Sequence, residues 1–120
     1  MKVAVTAQGQ ELSSLVDLRF GRAKWIHVVD TETGGHEVHD NAVHLDLPQG
    51  AGIQTGQHIA SLGAEAVLTG NVGPNAFRTL SAANIKVFLV APQTVAQAVS
   101  AFRAGQLQEV GQANVEGHWV

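Results

Sequence analysis

The chain has 120 residues, 45% of them hydrophobic and 14% charged, a balance that gives one packed domain and argues against disorder. Its formal charge of −3, without a basic run, gives no support to nucleic-acid binding, and no apolar stretch is long enough to span a membrane. With no cysteine there are no disulfides and no thiolate metal sites; a metal must be held by other groups or bring its own sulfide.

Lys2–Ala7 is a Val-rich run of the kind buried in sheets. Because Met1 leads straight into it, no signal peptide is expected, and the expected location is the cytoplasm. Residues 8–22 read as loop, with glycine at 9 and 21 and serine at 13 and 14. Trp25–Asp30 is a second strand. The run Thr31-Glu32-Thr33-Gly34-Gly35 is a hairpin turn, and Glu37–Asn41 a more polar strand near a sheet edge. Pro48-Gln49-Gly50-Ala51-Gly52 reads as a flexible loop ahead of a helix over about Ile53–Leu62, stopped by Gly63.

Ala66–Thr69 is a fourth strand, followed by a Gly-Asn-Val-Gly turn. Pro74 suits the first position of a helix running to about Ala83. Ile85–Val90 is a fifth strand. Thr94 caps a last helix, whose stripe of Val95, Ala98, Val99 and Phe102 faces the core and which Gly105 ends. Residues 106–120 read as irregular. The order β-β-β-α-β-α-β-α predicts a meander followed by parallel crossovers: a mixed five-stranded α/β sheet with helices on both faces. Ligands of such sheets sit beyond the carboxyl ends of the parallel strands, where strand order reverses.

Three segments carry candidate chemistry. Arg19-Phe20-Gly21-Arg22 reads either as a solvated turn or as an anion clamp, because guanidiniums are fixed, permanently charged donors. Gly50-Ala51-Gly52-Ile53-Gln54 precedes a helix, whose unpaired N–H groups attract anions. This G-x-G lacks the third glycine of a dinucleotide loop, and a simple turn explains it equally well. Gly70-Asn71-Val72-Gly73-Pro74-Asn75 gathers permissive and amide residues at a strand end and helix start, more than a turn alone requires.

Among six histidines, none has the spacing of a known metal motif. His27 and the hairpin's His36 and His39 read as structural or surface residues. His44, His58 and His118 are the candidates to touch a metal, since imidazole suits copper and iron. No nucleophile elbow or carboxylate pair is present, so an enzyme is not expected.

The same segments, with Val16-Asp17-Leu18-Arg19-Phe20-Gly21-Arg22-Ala23 and Asn114-Val115-Glu116-Gly117-His118-Trp119, make the chain resemble the dinitrogenase iron–molybdenum cofactor biosynthesis accessory family over essentially its whole length. Leu18 stands where members often have proline. The resemblance implies a three-layer, ribonuclease-H-like fold without nuclease activity, forming one metal-cluster-binding domain over residues 1–120. It implies an iron–molybdenum cofactor precursor as cargo. In cysteine-free members similar to the orange proteins, it implies a non-covalent molybdenum–copper sulfide cluster. Donor and acceptor proteins of that cluster are the implied partners. Two rival readings are a regulatory protein-interaction module without a cluster and, more weakly, an enzyme acting on a phosphorylated small molecule.

Overall fold

A computed structural model describes residues 1–42 and 50–113. Six strands, β1 (Lys2–Ala7), β2 (Trp25–Asp30), β3 (His36–Asp40), β4 (Ala66–Thr69), β5 (Lys86–Leu89) and β6 (Glu109–Val110), form one sheet in the order β3-β2-β1-β4-β5-β6. β1, β2 and β3 pair antiparallel as a meander, while β1–β4 and β4–β5 are parallel. The sheet is therefore mixed, as expected, but has six strands rather than five. The sixth comes from the stretch read as irregular. Two residues of β6 pair antiparallel with β5, too short a run to show an alternating pattern.

The helices are α1 (Ala51–Ser61), α2 (Pro74–Ala82) and α3 (Val95–Arg103). They cover both faces of the sheet. On one face Ile59 of α1, and Ala76 and Leu80 of α2, pack with Ala4, Ile26, Val28, Val67 and Val87. On the other, Val95, Ala98 and Val99 of α3 pack with Val3, Val5, Val29, Ala66 and Leu68. Alternate residues of β1 thus serve opposite cores, as the two-residue period of a strand requires.

α1 begins at Ala51, two residues before the expected start, so Ala51 and Gly52 are helical rather than loop. The reason is tertiary. A Cβ on Gly52 would lie 3.0 Å from Ala76 Cβ, and one on Gly56 3.0 Å from Thr79 Cγ2. The two glycines let α1 and α2 approach closely, and that packing outweighs glycine's poor helix propensity. Pro74 and Thr94 sit as the sequence indicates. Pro74 opens α2, and the Thr94 hydroxyl accepts from the Gln97 amide at 3.1 Å while the Gln97 side chain accepts from the Thr94 amide at 2.9 Å.

His27 is fully buried on the α3 side of β2. Its Nε2–H donates to the Gly9 carbonyl at 2.8 Å, and its Nδ1 lies 2.8 Å from Nε2 of the exposed His36. Burial pushes its pKa below the ordinary histidine range, the Gly9 bond raises it, His36 lowers it and Glu11 raises it, with a net fall. A base neutral when folded takes up a proton on unfolding. Stability is therefore intact above about pH 6.5 and declines as pH drops below it. Urea midpoints of the wild-type chain should fall between pH 7 and 5.5, and those of His27→Gln should fall less. Equal slopes would show that His27 is not the group responsible.

Candidate functional site

The parallel strands β1, β4 and β5 point the same way, so the helices that follow β4 and β5, and the helix that enters β4, all start at one end of the sheet. The strand order reverses between β1 and β4. At that point two of the three glycine-containing segments are stitched together. Arg19 bridges Asn71 in parallel register. The Phe20 amide donates to the Asn71 carbonyl at 3.2 Å, and the Asn71 side-chain amide donates to the Leu18 carbonyl at 3.0 Å.

Beneath them the buried Thr6 hydroxyl donates to the Asp17 carbonyl and contacts Thr69 Oγ1, both at 2.8 Å, tying the segment to the ends of β1 and β4. The third segment joins through α1. Gly52 packs on Ala76 of α2, and the 3-10 turn Phe20–Arg22 lies against α1. Arg19, Gly52 and Gly73 thus belong to one continuous cluster at one edge of the molecule.

The segments divide the expected site residues by exposure. Phe20, Gly21, Ala51, Gly52, Val72 and Gly73 are buried, so they build the site and present no side chain to a ligand. Phe20 and Val72 belong to the α1–α2 core. Gly70 is needed for packing: a Cβ there would lie 2.6 Å from Leu18 Cβ. Arg19, Gly50, Gln54, Pro74 and Asn75 are exposed, and Arg22, Ile53, Gly70 and Asn71 are partly so. Asn71 commits one amide donor to Leu18, which weakens its case as a ligand donor. The Asn75 side-chain oxygen accepts from Arg78 at 3.4 Å. His44 and His118 lie outside the described residues. His58 is described, but it sits in the second half of α1, facing β3, away from the glycine cluster.

The three helix starts differ in one respect. At α3 the first amides are all taken: Val95 donates to Ser14 and Ala96 to Leu12, each at 2.9 Å, and Gln97 to the Thr94 hydroxyl. At α1 and α2 the residues before the helix are Gly50, with φ 82°, and Gly73, and among the described residues neither helix has a side-chain cap. Their internal ladders start only at Gln54, donating to Gly50, and Phe77, donating to Gly73, each at 2.9 Å. The amides of Ala51, Gly52, Ile53, Asn75 and Ala76 precede those ladders, where a helix end carries partial positive charge.

Arg19, with its side chain 64% exposed, stands beside this edge. Asp17, buried, orients it: its Oδ1 accepts from the Arg19 amide at 3.0 Å and lies 3.6 Å from Nε. Asp17 was missed as part of the site. The only signal in the sequence was its spacing of two from Arg19, the spacing of an Asx turn. The arrangement offers backbone and guanidinium donors to an anion.

The dinitrogenase iron–molybdenum cofactor family model matches residues 1–105. The apo form of the orange protein from Desulfovibrio gigas superposes with a TM-score of 0.92 at 46% identity, over 95% of this chain and 96% of that one. A Thermotoga protein solved by NMR, with a provisional NifB description, gives 0.85 at 40% identity over 97% and 98%. An uncharacterised protein of Methanocaldococcus jannaschii is 25% identical over 112 residues, 91% of each chain. With the family model covering most of its length, the chain belongs to the dinitrogenase iron–molybdenum cofactor family.

Proposed function

We propose that this protein binds an anionic metal–sulfur cluster non-covalently and carries it, without catalysing a reaction. The observation that carries the reading is the convergence, at the switch point between β1 and β4, of an exposed arginine and two helix starts that have no side-chain cap among the described residues. A thiometallate is large and diffusely charged. Several weak N–H donors and a guanidinium match it better than a single strong site would.

Arg19 and Arg22 balance its charge, and the amides near Gly52 and at Asn75 and Ala76 donate to its sulfides. The cluster supplies its own sulfur, which is why a chain without cysteine can hold it. The likeness to the orange protein favours a molybdenum–copper sulfide cluster, and the family description an iron–molybdenum cofactor precursor. A sheet ordered β3-β2-β1-β4-β5, with β2 antiparallel to its neighbours, supports the ribonuclease-H-like label. We place the protein in the cytoplasm.

Reconstituting the metal-free chain with molybdate, copper and sulfide tests the reading. Retention after desalting of a visible charge-transfer band with metal in stoichiometric ratio is the expected result. A colourless, metal-free chain would instead favour the rival reading as a protein-interaction module.

A further inference from the structure

β3 is an edge strand: the sheet begins with it, and it pairs on one side only, with β2. The bonds at its two ends show which of its backbone groups look outward. The Asp30 amide donates to the Gly35 carbonyl and the Asn41 amide to the Lys24 carbonyl, each at 2.8 Å. In a register that sets Val29 against His36 and Trp25 against Asp40, these bonds place the odd-numbered residues of β3 in the hydrogen-bonded pairs with β2. His36, Val38 and Asp40 therefore aim their N–H and C=O groups away from the sheet, and among the described residues no partner meets those groups.

Open edges are usually guarded by a lysine, a proline, a bulge or a covering segment. β3 has no lysine and no proline, its register with β2 runs without a bulge, and its residues are exposed or half-buried. Its side chains, His36-Glu37-Val38-His39-Asp40, instead stand in a self-complementary order. Against an antiparallel copy centred on Val38, His36 meets the partner's Asp40, Glu37 meets the partner's His39, and Val38 meets the partner's Val38. The outward backbone groups also permit the two neighbouring registers. Centring on Glu37 sets that carboxylate against its own copy. Centring on His39 sets imidazole against imidazole and Val38 against a carboxylate. Only the Val38 register overlaps the whole strand and gives every imidazole a carboxylate.

We propose that β3 is a homodimer interface, through which two copies of this chain join antiparallel about a twofold axis at Val38 and share one continuous sheet. His36, Val38 and Asp40 of each copy supply the main-chain donors and acceptors, as in strand addition to an open edge. Val38 lies opposite His27 of β2, on the α3 face, and packs there on its own copy. On the other face Glu37 already accepts from His39 Nε2 at 3.0 Å, so association draws two such pairs into one cluster of alternating carboxylates and imidazoles. The contact uses the same patch twice and therefore closes at two subunits. The edge lies beyond β2, away from the β1–β4 switch point, and the proposal does not depend on the anion reading.

A strand this short makes a weak dimer, so sedimentation velocity of the full chain from about 10 μM to 1 mM tests it. The average mass should climb from one chain toward two. Val38→Pro should weaken association by about tenfold or more, because it deletes an outward amide in each copy and leaves the ladder to β2 whole. His39→Glu sets carboxylate against carboxylate and should weaken it by about tenfold, and adding Glu37→Lys to it restores opposite pairs in this register and should recover the loss. Glu109→Lys, on the far edge strand β6, should associate as wild type. The amide NMR spectrum at low concentration verifies each fold. A chain that stays monomeric throughout the range overturns the proposal and leaves the edge to an extended segment of another protein. Association that Val38→Pro and His39→Glu leave unchanged also overturns it, as does a double variant that associates no better than His39→Glu alone.

Discussion

Arg19→Glu is expected to abolish retention of the cluster while leaving the fold in place. Hydrogen bonds to charged groups contribute about 1.5–3 kcal/mol each, so losing the guanidinium alone weakens anion binding by roughly tenfold to a hundredfold. The glutamate adds a repulsive charge next to Asp17, whose buried carboxylate already lies 3.6 Å from the Arg19 side chain. The fold survives because the side chain at 19 is largely exposed, while the Arg19 amide donates to the Asp17 carboxylate and the next amide, Phe20, to the Asn71 carbonyl. Arg19→Lys should keep part of the binding, since it preserves charge but not the planar donor fork. The readout is the charge-transfer absorbance and metal content after desalting, beside circular dichroism. A variant carrying glutamate that still holds stoichiometric metal would remove Arg19 from the site.

Gly70→Ala should cause the largest loss of stability among single changes at this edge. The added Cβ would stand 2.6 Å from Leu18 Cβ and 2.7 Å from Leu18 Cα. A backbone atom cannot step aside as a side-chain end can, so residues 17–20 and 69–72 must separate. The Asn71–Leu18 and Phe20–Asn71 hydrogen bonds stretch or break as they do. Overpacking and the weakened bonds together cost about 2–4 kcal/mol, which lowers Tm on the order of 10 °C for a domain of this size. Gly111→Ala, where nothing lies within 4 Å of the new Cβ, is the matched control and should stay within about 0.5 kcal/mol. Equal melting temperatures for the two variants would show that the close approach of Gly70 to Leu18 carries no strain.

Where local pattern and tertiary packing agree, the sequence is easy to read. Val3 and Val5 against Ala4, the Pro74 start and the Thr94 cap each announce their element through one local rule, and all are found. The start of α1 is not legible, because Gly52 is helical through its close contact with Ala76 of another helix, which no local pattern announces. β6 is hidden for the same reason: its two paired residues depend on β5.

The clustering of the three segments follows from topology. Parallel crossovers place helix starts at one end of the sheet, so a reading of strand order suffices. The division of labour within the segments is less visible. Phe20 and Val72 belong to the core, and Gly70 to packing, as only burial and distances reveal. Asp17 is an acceptor whose importance lies in holding Arg19, and its spacing of two from that residue signals this only faintly.

On the proposed function, the backbone amides of two helix starts and the Arg19 guanidinium hold a negative cluster at the β1–β4 switch point. Titrating the nitrogen-15-labelled, metal-free chain with tetrathiomolybdate, alone and then with copper(I), tests it most directly. The largest shifts are expected at the amides of Ala51, Gly52, Ile53, Asn75 and Ala76 and at Arg19 Nε, with the α3 amides of Val95 and Ala96 unmoved. Shifts concentrated elsewhere, or spread evenly over all three helix starts, would contradict it.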